Sequence, residues 1–336
     1  MPCNGTERIR FCLHRFLGSD TDDYTYEALK LFLLGAISRA FKPGCKFEVM
    51  LCLVGGQGAG KSSFFRLLAV NDDWFSDDLK KLDDENVYRK MQGHWIIEMS
   101  EMIATANAKS IEEIKSFLSR QKETYKIPYE THPADRKRQC VFGGSSNTLD
   151  FLPLDRTGNR RFVPVMVYPE RAEVHILADE QASREYINQM WAEAMEIYRS
   201  GNFRLRFSPA MNDYLKAHQK DFMPEDTKAG QILDYLERYS GSIVCSKQLY
   251  KEALGHDYDE PKQWELREIN DIMNNAVTGW RAFSNPRYFP EPYRRQKGWE
   301  RIRNDNEPDN SMDGFQEIPT EEMEQLGLPE EWLKQK

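Results

Sequence analysis

Residues 55–62 combine glycines, a lysine and a hydroxyl in the order Gly-Gly-Gln-Gly-Ala-Gly-Lys-Ser, which is the G-x-x-x-x-G-K-S spacing of a phosphate-binding loop. Glycines allow successive backbone N–H groups to turn toward one anion, and a helix that begins at the loop adds the positive end of its dipole. Lys61 is then expected to reach the β- and γ-phosphates of a nucleoside triphosphate, and Ser62 to ligate Mg²⁺. The predicted nucleotide-binding residues are Gly55, Gly56, Gln57, Gly58, Ala59, Gly60, Lys61, Ser62 and Ser63.

Three polar residues follow this loop in an order that suits hydrolysis of ATP. The reaction needs a carboxylate near the metal and a polar group that aligns the attacking water. Glu98 ends an apolar run at 93–99, and Glu101 lies three residues further on. Which of the two serves the metal and which activates water stays open at this point. Asn147 ends the next strand-like run, where its amide can contact the γ-phosphate or the water.

Arg160 and Arg161 are two candidates for the positive charge that the transition state requires. Both lie in a turn ahead of an apolar strand. A guanidinium that meets the γ-phosphate of a neighbouring subunit would make hydrolysis depend on assembly. The alternative for at least one of them is a structural salt bridge, and their adjacency does not decide between them.

Two basic segments predict contacts with DNA. Residues 120–138 interleave arginines and lysines with tyrosines, which suits a single strand because phosphates take the charge and bases stack; an ordinary solvated loop is the alternative. Residues 281–303 contain seven basic residues against two acidic ones. The predicted DNA contacts in these two segments are Lys122, Lys126, Arg294, Arg295 and Lys297.

The elements that must position these residues alternate between helix and strand. Apolar spacing predicts helices at 7–17, 25–41, 61–70, 110–120 and 183–199, and strands at 47–54, 93–99 and 139–147. This alternation favours an α/β fold with a parallel sheet. Further along, short helices at 230–239, 246–254 and 260–276 precede the second basic segment, which is typical of a winged helix.

These patterns divide the chain into four segments. Residues 1–45 form a helical lead-in, 46–226 a P-loop ATPase domain, 227–303 a winged-helix-like α+β module and 304–336 an acidic tail. The tail holds ten acidic and two basic residues and so accounts for the net charge of −8. We expect it to be solvated, with nucleic-acid mimicry as the alternative.

Composition indicates a cytoplasmic protein without a membrane partner. The sequence has no apolar run of 18 residues and no signal-peptide pattern at its start. Its six cysteines are scattered without C-x-x-C pairs, which favours reduced thiols over disulfides or zinc.

Several blocks together resemble the virulence-associated protein E family of phages and phage-like islands, whose ATPase belongs with superfamily 3-type AAA+ helicases. They are GGQGAGKSS, WIIEMSEM, IEEIKSFLSR, KIPYE, VFGGSSN and DRTGNRRF, between Phe47 and Phe162. The resemblance implies that Gly60, Lys61 and Ser62 form Walker A, Glu98 and Glu101 the acidic Walker B block, Asn147 sensor 1, and Arg160 or Arg161 the arginine finger. It also places Lys115 and the loop through Lys126 at a DNA-contacting hairpin, and it implies a hexameric ring that moves on single-stranded DNA during mobile-element replication.

Two departures from that family matter. The acidic block is E-x-x-E instead of the usual adjacent pair, which leaves the two carboxylate roles open. No primase-like sequence precedes the glycine-rich loop, so we expect either a separate primase as partner or a truncated relative.

The sequence therefore predicts an ATP- and Mg²⁺-dependent DNA helicase or translocase, assembled as a homo-hexamer, that acts on single-stranded or forked DNA. One alternative is a DNA-binding replication initiator that uses ATP as an assembly switch without unwinding. The other is an AAA+ module that remodels protein partners.

Overall fold

The computed structural model describes residues 5–79, 82, 87–100, 108–125, 132, 134–152, 154 and 159–302. The chain forms two compact units, Met1–Gly230 and Gln231–Lys336. The helices of unit 1 are α1 (Arg8–Leu17), α2 (Asp23–Phe41), α3 (Lys61–Leu68), α4 (Val87–Lys90), α5 (Ala108–Ser119), α6 (Glu180–Ser200) and α7 (Pro209–His218), with 3-10 turns at Asp72–Trp74, Pro169–Arg171 and Gln219–Phe222. Its strands are β1 (Met50–Val54), β2 (Phe75–Ser76), β3 (Ile96–Ser100), β4 (Lys122–Tyr125), β5 (Ala134–Lys137), β6 (Val141–Ser146) and β7 (Phe162–Met166).

A five-stranded sheet lies at the centre of unit 1, with the strand order β2-β3-β6-β1-β7. All of its neighbouring strands are parallel, and β1 pairs with β6 on one side and β7 on the other. The mixed α/β fold with a parallel sheet is therefore confirmed. Because the carboxyl ends of parallel strands meet at one edge, this topology brings the ends of β1, β3 and β6 together.

Alternate residues of β1 pack into two separate cores. Leu51 and Leu53 join α1, α2, α3 and α6 on one face of the sheet. Met50 and Cys52 join α5 and the apolar residues near α4 on the other face. Every residue of β1 is buried, which explains why the strand has a continuous apolar sequence instead of an alternating one. Two-sided burial fixes the position of the loop that follows β1.

The ends of several elements differ from the predictions. The strand predicted at 47–54 begins at Met50, and the helix predicted at 110–120 begins at Ala108. The largest difference lies between 120 and 138, where β4 and β5 form an antiparallel hairpin. This stretch has the composition of a basic loop, and no two-residue turn signal in its sequence marks the pairing.

Unit 2 contains helices followed by short antiparallel strands. Its elements are the end of α8 (Thr227–Arg238), β8 (Ile243–Cys245), α9 (Ser246–Gln248), a π-helical turn at Leu249–Ala253, α10 (Gln263–Asn275), β9 (Trp280–Ala282), β10 (Arg287–Phe289), β11 (Arg294–Gln296) and β12 (Gly298–Arg301). Three strands form a sheet in the order β8-β12-β9, and β10 pairs with β11 in a hairpin. Within the described part of both units, none of the helices has the length and apolar character that a membrane crossing requires.

Candidate functional site

The glycine-rich loop connects the carboxyl end of β1 to α3 and uses its glycines for different purposes. Gly58 and Gly60 have φ angles of 79° and 81°, a conformation that strains residues with a side chain. Gly55 approaches the chain after β7 so closely that a Cβ would lie 2.5 Å from the carbonyl oxygen of Val167. A Cβ at Gly56 would meet no described atom within 4 Å apart from its chain neighbours. The loop therefore has an open side on which an anion can reach the backbone.

Lys61 begins α3, and its buried side chain folds back over this loop. Its Nζ donates to the carbonyl oxygens of Gly55 at 2.7 Å and Gly56 at 2.8 Å. It also donates to Oδ1 of Asn147 at 3.0 Å. Asn147 follows directly after β6, the strand beside β1. The ammonium group is thus held between the loop and the end of the neighbouring strand, where a bound phosphate would lie.

Glu98 is fully buried on β3 and is linked to the first turn of α3. Its Oε1 accepts hydrogen bonds from Ser62 Oγ at 2.8 Å and from Ser145 Oγ on β6. Burial raises the pKa of Glu98 from its ordinary value, although the hydrogen bonds from Ser145 and Ser62 and the charge of Lys61 act in the opposite direction. Ser145 is not among the predicted site residues, because a serine in a strand of small residues carries no distinctive sequence signal.

The oxygens around Glu98 fit a magnesium ion. Its Oε2 is buried and has no hydrogen-bond partner among the described residues, whereas buried polar atoms are normally bonded. Mg²⁺ prefers hard oxygen ligands and commonly binds one or two carboxylates together with substrate phosphates. No group of three or more His, Cys, Asp or Glu residues in the described chain could form an all-protein metal site. Glu98 and Ser62 supply oxygens that could hold Mg²⁺.

Arg160 and Arg161 lie at the amino ends of the sheet strands, whereas the glycine-rich loop lies at the carboxyl ends. They precede β7, and the carbonyl oxygen of Arg161 accepts a hydrogen bond from the N–H of Met50 at the start of β1. From Met50 to Val54, β1 advances four residue steps of roughly 3.3 Å, so about 13 Å of strand separates this edge from the glycine-rich loop. The structure therefore does not bring either arginine to Lys61 of the same chain.

The two arginines differ in their surroundings. The side chain of Arg160 is 66% exposed and lies 3.3 Å from Glu48. The side chain of Arg161 is 21% exposed; its Nε donates to Ser119 Oγ at 2.9 Å and lies 3.5 Å from Glu48. Arg161 thus joins the end of α5 to the chain before β1, whereas Arg160 presents its guanidinium to solvent.

Two other predicted residues, Glu101 and Lys126, lie outside the described residues. Lys115 is described, and it is buried on α5 with its Nζ 3.1 Å from Glu112. A buried ammonium cannot contact a DNA strand in this conformation. Lys122 is exposed on β4 and forms an ion pair with Asp135 across the hairpin.

The predicted DNA contacts of unit 2 lie on and beside the β10–β11 hairpin. Arg294 and Arg295 are exposed on β11, and Lys297 is exposed just after it. Arg295 lies opposite Tyr288 of β10, which is 69% exposed. This hairpin therefore presents cations and an aromatic ring on one exposed ribbon.

Three solved structures of the NrS-1 C-terminal region are similar to this chain. The apo structure has 13% sequence identity and a TM-score of 0.48, and the match covers 88% of this chain and 75% of that chain. Two A form apo structures of the same region have 14% and 13% sequence identity and TM-scores of 0.47 and 0.48. These matches cover 88% of this chain in both cases, and 75% and 76% of the solved chains. No curated protein matches this chain.

The family comparison agrees with the motifs. The virulence-associated protein E-like domain matches residues 2–224, which include Lys61, Glu98 and Asn147. This match confirms the family resemblance drawn from the sequence blocks. The chain therefore belongs to the virulence-associated protein E-like domain family.

Proposed function

We propose that this protein is a P-loop ATPase of the AAA+ type that hydrolyses ATP with Mg²⁺. The observation that carries the proposal is the convergence of two hydrogen-bonded pairs at the carboxyl edge of the sheet, Lys61 with Asn147 and Ser62 with Glu98. A solvated glycine turn would not require a buried lysine over its carbonyl oxygens or a buried carboxylate at the first turn of its helix. Such a cluster is suited to a bound triphosphate.

Each residue of the site has a separate task in this proposal. When bound, Mg²⁺ would add positive charge at the β- and γ-phosphate oxygens. Lys61 exchanges its carbonyl contacts for phosphate oxygens, Ser62 and Glu98 hold the metal, and Asn147 orients the γ-phosphate or the attacking water. Glu101, three residues beyond Glu98, is the candidate to activate that water.

Arg160 is the residue that we propose to complete the site of a neighbouring subunit. Its exposed guanidinium lies at the sheet edge opposite its own glycine-rich loop, so it can reach a phosphate only in another chain. A head-to-tail contact of this kind can repeat from subunit to subunit, and it forms a ring when the rotation between subunits closes; we propose that it closes as a homo-hexamer. Arg161, held by Ser119 and Glu48, has the structural role.

We further propose that ATP hydrolysis drives movement on single-stranded or forked DNA during replication of a phage or mobile element. Membership of the virulence-associated protein E-like family and the exposed basic residues of both units support this. The order of helices, antiparallel strands and basic hairpin in unit 2 supports a winged-helix-like module that contacts DNA.

Phosphate release and strand displacement test the proposal together. We expect Mg²⁺-dependent release of phosphate from ATP, stimulated by single-stranded DNA, and displacement of one strand from a forked duplex. ATP binding without displacement would instead identify an ATP-switched initiator. Hydrolysis that DNA does not stimulate would favour a module that remodels proteins. Calorimetry that detects no uptake of Mg²⁺–ATP would refute the nucleotide site.

A further inference from the structure

Unit 1 contains a large groove that the nucleotide site does not use. Its volume is about 1230 Å³, and it lies between the end of α2, the chain before β3, α6 and the β5 strand of the hairpin. Aromatic residues from several of these elements line it, namely Phe41, Trp74, Tyr88, Trp95 and Trp191. Such a concentration of rings on a concave surface suits a ligand with flat faces.

Two of these rings are open to solvent while the rings behind them are fixed. The residues Phe41 and Trp74 are 64% and 45% exposed. Trp74 packs edge-on against Trp95 with ring centroids 6.5 Å apart, and Trp95 lies 4.7 Å from Trp191. The indole N–H of Trp95 donates to the carbonyl oxygen of Ala36 at 3.0 Å, which fixes its orientation. The groove therefore offers preorganised aromatic surface.

A cluster of lysines lies directly beside these rings. A second cavity of about 370 Å³ is lined by Lys42, Lys122 and Lys137, and it shares Lys137 and Pro43 with the groove. Lys122 and Lys137 face each other across the β4–β5 ladder. Like charges directly opposite in a sheet are destabilising, and Asp135 offsets part of that repulsion through its ion pair with Lys122. An anion in this cavity would neutralise the cluster.

We infer that this continuous surface binds a segment of single-stranded DNA, with phosphates at the three lysines and unpaired bases stacked on Phe41 and Trp74. A single strand combines these two chemistries because it carries a charge at every nucleotide and leaves its base faces open. Lys122 belongs both to this surface and to the predicted DNA contacts. The choice of DNA as the ligand rests on the proposed function. The binding itself requires no ATP.

The test measures binding of a fluorescent oligothymidylate to the full chain by anisotropy, without nucleotide. We expect Trp74→Ala to weaken binding by about fivefold or more, because a base stacked on an aromatic side chain contributes on the order of 1–3 kcal/mol. Trp74→Phe should retain most of the affinity. Lys137→Ala should lower the slope of log affinity against log salt by about 0.7, the value for one phosphate contact with a single strand. Phe11→Ala and Lys216→Ala are matched controls, because both side chains are exposed on other surfaces of unit 1.

A blunt-ended duplex separates stacking from charge. Trp74→Ala should leave duplex affinity unchanged, because paired bases do not offer their faces. Unchanged oligothymidylate affinity in both groove variants would overturn the inference. A change of oligomeric mass in light scattering with unchanged DNA affinity would also overturn it, and would assign the groove to contacts between copies. Phosphate release is measured in parallel, so weakened DNA binding in a protein that never hydrolyses ATP would support the groove while refuting the ATPase.

Discussion

The two edges of the central sheet, at the carboxyl and the amino ends of its strands, carry candidate site residues in different surroundings. At the carboxyl edge, Lys61 donates a hydrogen bond to Asn147 and Ser62 donates one to Glu98, and the side chains of Lys61 and Glu98 are buried. At the amino edge, the side chain of Arg160 is largely exposed and contacts Glu48. The first edge is organised within one chain, whereas the second presents a cation that its own chain does not use at the nucleotide site. This difference supports an active site that two subunits complete together.

Among the substitutions at the carboxyl edge, we expect Lys61→Ala to have the largest effect on ATP hydrolysis. The substitution removes the ammonium group and its three described hydrogen bonds, and with them the charge expected to hold the β- and γ-phosphates. We expect phosphate release from ATP to fall to background. Lys216→Ala, which removes an exposed lysine on α7, is the matched control and should keep normal turnover. Normal hydrolysis by the Lys61 variant would remove the basis of the proposed site.

Arg160→Ala tests the exposed edge. An arginine that contacts the transferred phosphoryl group in trans is worth roughly 10³- to 10⁵-fold in turnover, so we expect a loss of that order. Arg161→Ala should act differently, because its side chain bridges Ser119 and Glu48. Its main effect should be a lower midpoint of thermal unfolding. Phosphate release and a thermal melt of each variant distinguish the two roles.

Mixing subunits shows whether Arg160 acts across an interface. The Lys61→Ala chain has an intact arginine edge, and the Arg160→Ala chain has an intact loop. In a mixed ring, some sites pair these two intact halves, so we expect activity that neither variant shows alone. If the mixture stays inactive although both chains assemble, Arg160 does not complete the nucleotide site of a neighbouring subunit.

Glu98→Gln has a smaller expected effect on hydrolysis. Loss of the carboxylate charge should weaken Mg²⁺ binding or turnover by about 10- to 100-fold, on the scale seen for groups that support a bound metal. Because burial raises the pKa of Glu98, the native protein should lose activity on acidification at a higher pH than an exposed carboxylate would allow. Phosphate release is measured against Mg²⁺ concentration and pH. An unchanged Mg²⁺ dependence in the variant would exclude Glu98 from the metal site.

Local motifs made the organised edge predictable from sequence. The glycine spacing fixes the loop, and a carboxylate at the end of a buried strand must lie near it in a parallel sheet. The different exposure of Arg160 and Arg161 was not predictable, because it depends on how β7 pairs with β1 and on the position of Glu48. The hairpin at 122–137 was missed because its strands pair across a long connection.

Lys115 shows that one available signal was overlooked. It lies on the same helical stripe as Ile111, Ile114 and Leu118, with the three- and four-residue spacing of a buried face. A lysine at such a position is expected to be covered by its neighbours. Family resemblance placed it near a DNA-contacting element, whereas the periodicity of α5 indicates its burial.

The smallest predicted effect is on the unfolding temperature, because a buried carboxylate at Glu98 destabilises the fold. The folded pKa of Glu98 is raised, so the folded state binds its proton more tightly than the unfolded state does. Stability from this group is present at low pH and is lost as pH rises through the folded pKa. At neutral pH, Glu98→Gln should therefore unfold at a slightly higher temperature than the native chain, and the difference should shrink as the pH falls below the usual carboxyl range.

Glu180 is the matched control for that measurement, because its pKa is shifted the other way. Hydrogen bonds from Arg184 and Arg66 lower the pKa of Glu180. The contribution of Glu180 to folding stability is therefore present at neutral pH and is lost on acidification. Glu180→Gln should leave the melting temperature at neutral pH unchanged or slightly lower it, since the group is exposed. If Glu98→Gln is instead the less stable variant at neutral pH, the carboxylate stabilises the fold and has been retained for structure. If Glu98→Gln is more stable but hydrolyses ATP more slowly, the buried carboxylate lowers folding stability and is needed for activity.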